Sequence, residues 1–184
     1  MLIRFKNHTP KLSQNVFVAK GAKIIGEVEI GEDSSVWFNC VLRGDVNFIK
    51  IGKRTNIQDL STVHVWHREF SSDGSLKSVG YPTIIGDDVT IGHNCVIHAC
   101  VIKNRVLVGM NAVIMDDALI EEDSIVGAGS VVTKGKKFPP RSLILGNPAK
   151  FVRELSQDEI DFLKQSALNY VEFKNEFLAS SLNP

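Results

Sequence analysis

Two histidines stand five residues apart in Gly92-His93-Asn94-Cys95-Val96-Ile97-His98. A third, His64, precedes His98 by 34 residues, and Asp59 precedes His93 by the same interval. Neutral imidazole is the commonest side-chain metal ligand. Three imidazoles with one open coordination position make a catalytic zinc site. Such a site lowers the pKa of bound water toward about 7 and so supplies hydroxide at neutral pH. His93 and His98 alone are too few to complete that set. The shared interval of 34 therefore points to an element that sets distant residues side by side.

That element shows as a period. An aliphatic residue recurs every six positions at Val18, Ile24, Ile30, Val36 and Leu42, and again at Ile51, Ile57 and Val63. It resumes at Ile85, Ile91 and Ile97, takes one five-residue step to Ile102, and continues through Val108, Ile114, Ile120, Val126 and Val132. Gly often follows, as at Gly31, Gly52, Gly86, Gly92, Gly109 and Gly127. A helix does not sustain a strict period of six, and Val and Ile favour strands. The pattern predicts a hexapeptide β-helix whose aliphatic residues point inward and stack coil on coil. It resembles the left-handed parallel β-helix of hexapeptide-repeat proteins, whose triangular coils hold three hexads, over about residues 12 to 150.

Two interruptions break the period. Leu42 to Ile51 spans nine residues, a hexad plus three; Val63 to Ile85 spans twenty-two, a hexad plus sixteen. The second surplus, in HVWHREFSSDGSLKSVGYP, is polar with Gly and Pro, and reads as a loop thrown out at about 65–82. After GNPAKFVREL the Ser156-Gln157-Asp158-Glu159 capping box opens an amphipathic helix over about 156–180. The expected organisation is a β-helix over 1–150 and a C-terminal helical segment over 151–184.

With three hexads per turn, 34 is one turn of eighteen plus the sixteen-residue loop. His64 and His98 then lie one above the other, at a strand spacing of about 4.8 Å, with Arg43 in the same column. Imidazoles so placed can converge on one metal. Asp59 and His93 form a second column, with Gln58 beside it, on the preceding side of the triangle. His93 is poorly placed to join the other two within one chain. Three chains around a threefold axis would bring the two columns together, so that a partner supplies the missing ligand. The same residues also suit plain solenoid surface, an interhelical salt-bridge network, or a hydrogen-bonded trimer interface without metal.

Composition narrows the classes. The chain has 184 residues, is 43% hydrophobic, and balances 21 Lys and Arg against 21 Asp and Glu. A net charge of zero gives no drive toward nucleic acid or an anionic membrane. No apolar run approaches the roughly 18 residues of a membrane helix. The N-terminal MLIRFKNHTPKLSQ lacks the pattern of a signal peptide, which makes the cytoplasm the expected location. Cys40, Cys95 and Cys100 form no C-x-x-C pair and read as small buried hydrophobes.

Arg43-Gly44-Asp45, the stretch RTNIQD at 54–59, His64 and GHNCVIH at 92–98 together resemble the gamma-class carbonic anhydrases. More closely, they resemble the bacterial gamma-carbonic-anhydrase-like hexapeptide proteins, which share the NPAK exit and C-terminal helix. The resemblance implies a homotrimer with Zn2+ held by His64, His93 and His98, with His93 contributed across the interface. It implies that Asn56 and Gln58 contact metal-bound solvent. Arg43, Asp45 and Asp59 match the network that joins subunits. The implied substrate is a small molecule, carbon dioxide, hydrated reversibly to bicarbonate by zinc-bound hydroxide. Fe2+ or Co2+ suits the same ligands, since affinity alone does not select the metal. Two departures stand out: Val46 replaces a second acid, and the acidic loop with its glutamate proton shuttle is missing. His67 and Glu69 are the replacement shuttle candidates, and each also reads as a solvated loop residue; imidazoles titrate near neutral pH. Competing expectations are a hexapeptide acyltransferase, a metal-dependent thioester hydrolase and a metal-stapled structural trimer.

Overall fold

Short parallel strands stack coil upon coil to form a triangular solenoid, closed by one C-terminal helix. The computed structural model describes residues 1–181; residues 182–184, the end of the expected helical segment, lie outside the described residues. On what we call the histidine side, Thr62–His64, Val96–His98, Val113–Ile114 and Val131–Val132 succeed one another. The helix side stacks Phe17–Val18, Ser35–Val36, Asn56–Ile57, Thr90–Ile91, Leu107–Val108, Ile125–Val126 and Ser142–Gly146. The third side carries Thr83–Ile85, Val101–Ile102, Leu119–Ile120 and Lys137–Phe138.

The hexad residues from Ile24 to Val132 all point into the prism and are no more than 2% exposed. Each such side chain stabilises the fold by roughly 1.5–3 kcal/mol. Val18 differs: it is only half-buried, because it lies at the open end of the stack, while its neighbour Phe17 is buried beneath the helix.

Both interruptions have structural counterparts. The strand Val41–Ile51 runs through a corner, pairing with Thr62–Val63 at one end and with Thr83–Ile85 at the other. Against Lys23–Ile30 its register shifts between Gly44 and Ile49, so the surplus residues form a bulge. That bulge presents Asp45, Val46 and Asn47. The second surplus leaves as a loop whose tip is the antiparallel pair Glu69–Phe70 and Leu76–Ser78. Buried Asn47 closes its neck, Nδ2 donating to the carbonyls of Trp66 at 3.0 Å and Val79 at 2.8 Å.

Corners demand a left-handed residue. Between the third side and the helix side this falls on Asp33, Arg54, Asp88, Arg105, Asp123 and Arg141, with φ between 50° and 63°. The left-handed conformation costs a side-chain-bearing residue roughly 1–2 kcal/mol. Here the alternating charges offset it: Arg54 forks onto Asp88 and Arg105 onto Asp123, each at 2.6 and 2.8 Å.

The chain leaves the stack through a hairpin, Ser142–Gly146 against Ala149–Glu154, antiparallel where the other solenoid strands among the described residues pair in parallel. The helix Gln157–Ser181 then covers the helix side. Its capping box is reciprocal: Ser156 N donates to Glu159 Oε2 at 2.8 Å, and Glu159 N donates to Ser156 Oγ at 3.3 Å. Trp37 anchors the far half, with ring centroids 5.4 Å from Phe17, 5.5 Å from Tyr170 and 5.3 Å from Phe177. Fully buried Lys174 reaches Asp33 at 3.1 Å and so ties the helix to the charged corner.

Candidate metal centre

His98 pairs in register with His64, and Leu42 with Val63, which puts Arg43 beside His64 one coil below. The expected column of Arg43, His64 and His98 is therefore present. It is also hydrogen-bonded end to end. Arg43 donates to Asp45 Oδ2, and Asp45 Oδ1 lies 3.0 Å from His64 Nε2. His64 Nδ1 lies 3.1 Å from His98 Nε2, and His98 Nδ1 lies 2.9 Å from Asp116 Oδ1.

An ionised carboxylate only accepts, so His64 Nε2 and His98 Nδ1 each carry a proton. In neutral rings the two inner nitrogens, His64 Nδ1 and His98 Nε2, are then both bare. Two lone pairs facing each other at 3.1 Å repel unless a cation lies between them, either a proton or a metal. Two zinc–nitrogen bonds of about 2.1 Å at a tetrahedral angle set their nitrogens about 3.4 Å apart, close to what is seen. Burial lowers the His64 pKa, against the Asp45 hydrogen bond that raises it, and the Arg43 and His98 charges lower it further. The ring is thereby biased toward the neutral form a metal needs. Asp45 titrates lower than an ordinary carboxyl: burial pushes it up, but the hydrogen bonds from His64 and Arg43 outweigh that.

The second column also forms. Ile57 pairs with Ile91, so Gln58 and Asp59 follow in step with Gly92 and His93. His93 Nδ1 lies 2.8 Å from Asp59 Oδ2, and Asp59 Oδ1 accepts from Phe38 N at 3.0 Å. His93 thus stands at the corner before Val96–His98 and does not join the pair. Among the described residues, no group of three or more His, Cys, Asp or Glu is arranged within this chain to hold a metal. Asn56 and Gln58 lie on the helix side. Gln58 Nε2 donates to Asn56 Oδ1 at 3.2 Å, and Asn56 Nδ2 donates to Thr90 Oγ1, itself 3.2 Å from Ser166 of the helix.

On the loop, His67 is exposed and stacks on Trp66 with centroids 4.9 Å apart; Trp66 in turn lies edge-on to His98 at 6.4 Å. Glu69 faces Lys77 within the loop hairpin. All three thiols are free and buried, and burial pushes those of Cys40 and Cys95 up to about 11, which disfavours thiolate ligation. Sequence reasoning missed Asp116 and Trp66. One signal pointed to the first: Asp116 lies eighteen residues, one turn, beyond His98.

The family described as Dynactin subunit 5 matches residues 9–176. A protein of Methanocaldococcus jannaschii named "Probable carbonic anhydrase" is 52% identical over 160 residues, which is 87% of this chain and 93% of that protein. The chain belongs to this family, as a gamma carbonic anhydrase-like member. The mitochondrial gamma carbonic anhydrase 1 of Arabidopsis thaliana is 40% identical over the whole chain, which spans 64% of that relative's length. Among solved structures, a hexapeptide transferase family protein from Anaplasma phagocytophilum superposes with a TM-score of 0.87 at 40% identity, covering 96% of this chain and 98% of its own. No helix among the described residues of this gamma carbonic anhydrase-like chain is long and apolar enough to cross a membrane.

Proposed function

We propose that this protein is a gamma-class carbonic anhydrase that hydrates carbon dioxide reversibly to bicarbonate at metal centres shared within a homotrimer. His64 and His98 of one chain and His93 of the next would hold Zn2+, with Fe2+ or Co2+ as chemical equivalents. The observation that carries this reading is the pair of facing nitrogens, His64 Nδ1 and His98 Nε2, at 3.1 Å, each ring held by a carboxylate on its far side. Zinc bound there would supply Lewis acidity, lowering the pKa of coordinated water toward about 7.

The chain's own groups supply the rest. Asp45 keeps the His64 proton on Nε2, and Arg43 beside it places a cation where an anionic product forms. Asn56 Oδ1 accepts a hydrogen bond from Gln58 Nε2, which orients the amide and leaves Gln58 Oε1 to accept from a solvent hydroxyl. Asp59 orients His93 through Nδ1. Trp66 walls the site beside His98, and His67 stacked on it carries protons out to solvent.

Stopped-flow hydration of carbon dioxide on metal-quantified protein tests the proposal. Activity should scale with zinc content and vanish in His93→Ala. Zinc at one per chain with no hydration defeats the hydratase reading and leaves a thioester hydrolase or a metal-stapled trimer. Acyl transfer, the competing reading, requires instead a measurable affinity for acetyl-CoA.

A further inference from the structure

We infer that Asp116 is a positioning residue for His98, fixing the ring so that Nε2 faces the metal. The inference rests on the metal centre proposed above. Asp45 does this for His64 from the coil below, and Asp116 does it for His98 from the coil above. Its Oδ1 lies 2.9 Å from His98 Nδ1, and its side chain is 17% exposed.

The backbone of Asp116 is held on both sides. Gly135 N donates to the Asp116 carbonyl at 2.9 Å, and the next residue's amide, Asp117 N, donates to the Ala99 carbonyl at 2.8 Å. Ala99 is the residue after His98, so ligand and carboxylate hang from one hydrogen-bonded corner. That corner carries left-handed residues at Ala99 and Asp117, with φ of 51° and 57°. The carboxylate is thus placed by the coil itself and not by a mobile surface rotamer.

An unheld imidazole flips about its ring bond and exchanges tautomers. A carboxylate on Nδ1 stops both and makes Nε2 the better electron donor, as partners behind metal-bound imidazoles generally do. Asp45 and Asp116 against one Arg43 also leave the pair with one net negative neighbour. That charge favours a dication over a second proton.

Zinc competition against a chromogenic chelator tests this on the full-length chain, comparing wild type, Asp116→Ala and Asp116→Asn. Nitrogen-15 spectra of the metal-free histidines report the tautomer independently of any metal. In Asp116→Ala the zinc affinity should fall about 10- to 100-fold, and His98 should leave the pure Nδ1–H form. Asp116→Asn keeps an accepting oxygen and should recover part of both. Metal-free melting should not separate the variants from wild type. Wild-type zinc affinity in Asp116→Ala overturns the role of Asp116 and leaves the metal centre standing. An affinity loss with an unchanged tautomer and a lower metal-free melting temperature also overturns it, by showing a structural role. A wild type that takes no zinc overturns the centre and this inference together.

Discussion

Mixing two metal-poor variants should rebuild the metal centre. His93→Ala keeps the His64–His98 pair, with its nitrogens 3.1 Å apart. His64→Ala keeps His93, which sits at the other column against Asp59. Each variant trimer alone offers two imidazoles per site, so both should lose zinc to a chelator that wild type withstands. Suppose the two are unfolded, mixed equally and refolded. A complete site then needs a His93→Ala chain on the pair side and a His64→Ala chain on the His93 side. Random assortment meets that condition at about one interface in four in a cyclic trimer. Zinc should return to about a quarter of the wild-type content, read by atomic emission on isolated trimers whose exchange is verified by mass spectrometry. Were His93 to serve its own chain, mixing would restore nothing. No zinc in verified mixed trimers, or full zinc in His93→Ala alone, refutes the shared site.

Three further outcomes follow from the fold. Trp37→Ala removes the ring on which Phe17, Tyr170 and Phe177 converge. It should cost about 3–5 kcal/mol in urea unfolding and expose the C-terminal helix to protease; a loss below 1 kcal/mol would contradict the packing described. Asn47→Ala should cost about 1–3 kcal/mol from the two loop carbonyls it leaves unpaired, and speed proteolysis within 66–79 while the solenoid core stays protected in hydrogen exchange. The Arg153 hydrogen bonds, with the Ser156 amide, hold Glu159 down to about 2. A depressed folded pKa stabilises above the unfolded value of about 4.3, and that contribution is lost as pH falls through about 2. The Glu159 carboxyl carbon should therefore still report the ionised form at pH 3, and Arg153→Ala should move its midpoint upward. A wild-type midpoint at 4 or above counts against the fork.

The solenoid was legible because one physical rule, an inward aliphatic every six residues, repeats along most of the chain. Ile24 through Val132 obey it with almost no exposure. Where packing is incomplete the rule weakens, as at Val18 on the open end. The exit hairpin was not legible, since Ala149–Glu154 pairs antiparallel and keeps no six-residue period. Asp45 was legible as a motif residue, but its place was not. It reaches His64 because the three surplus residues after Leu42 bulge at a corner, which a period can flag only as an interruption.

The separation of His93 from His98 has the same origin. Five residues apart, they straddle a corner whose left-handed residue is Asn94, at φ 56°. Thr90–Ile91 lies on one side of that corner and Val96–His98 on the next. The turn gives each histidine its own carboxylate, Asp59 for His93 and Asp116 for His98, on different sides of the prism. Side-chain rotation does not undo a corner. Within one chain His93 therefore does not reach the His64–His98 pair, and in the proposed trimer the third ligand would come from a neighbouring copy's His93 corner.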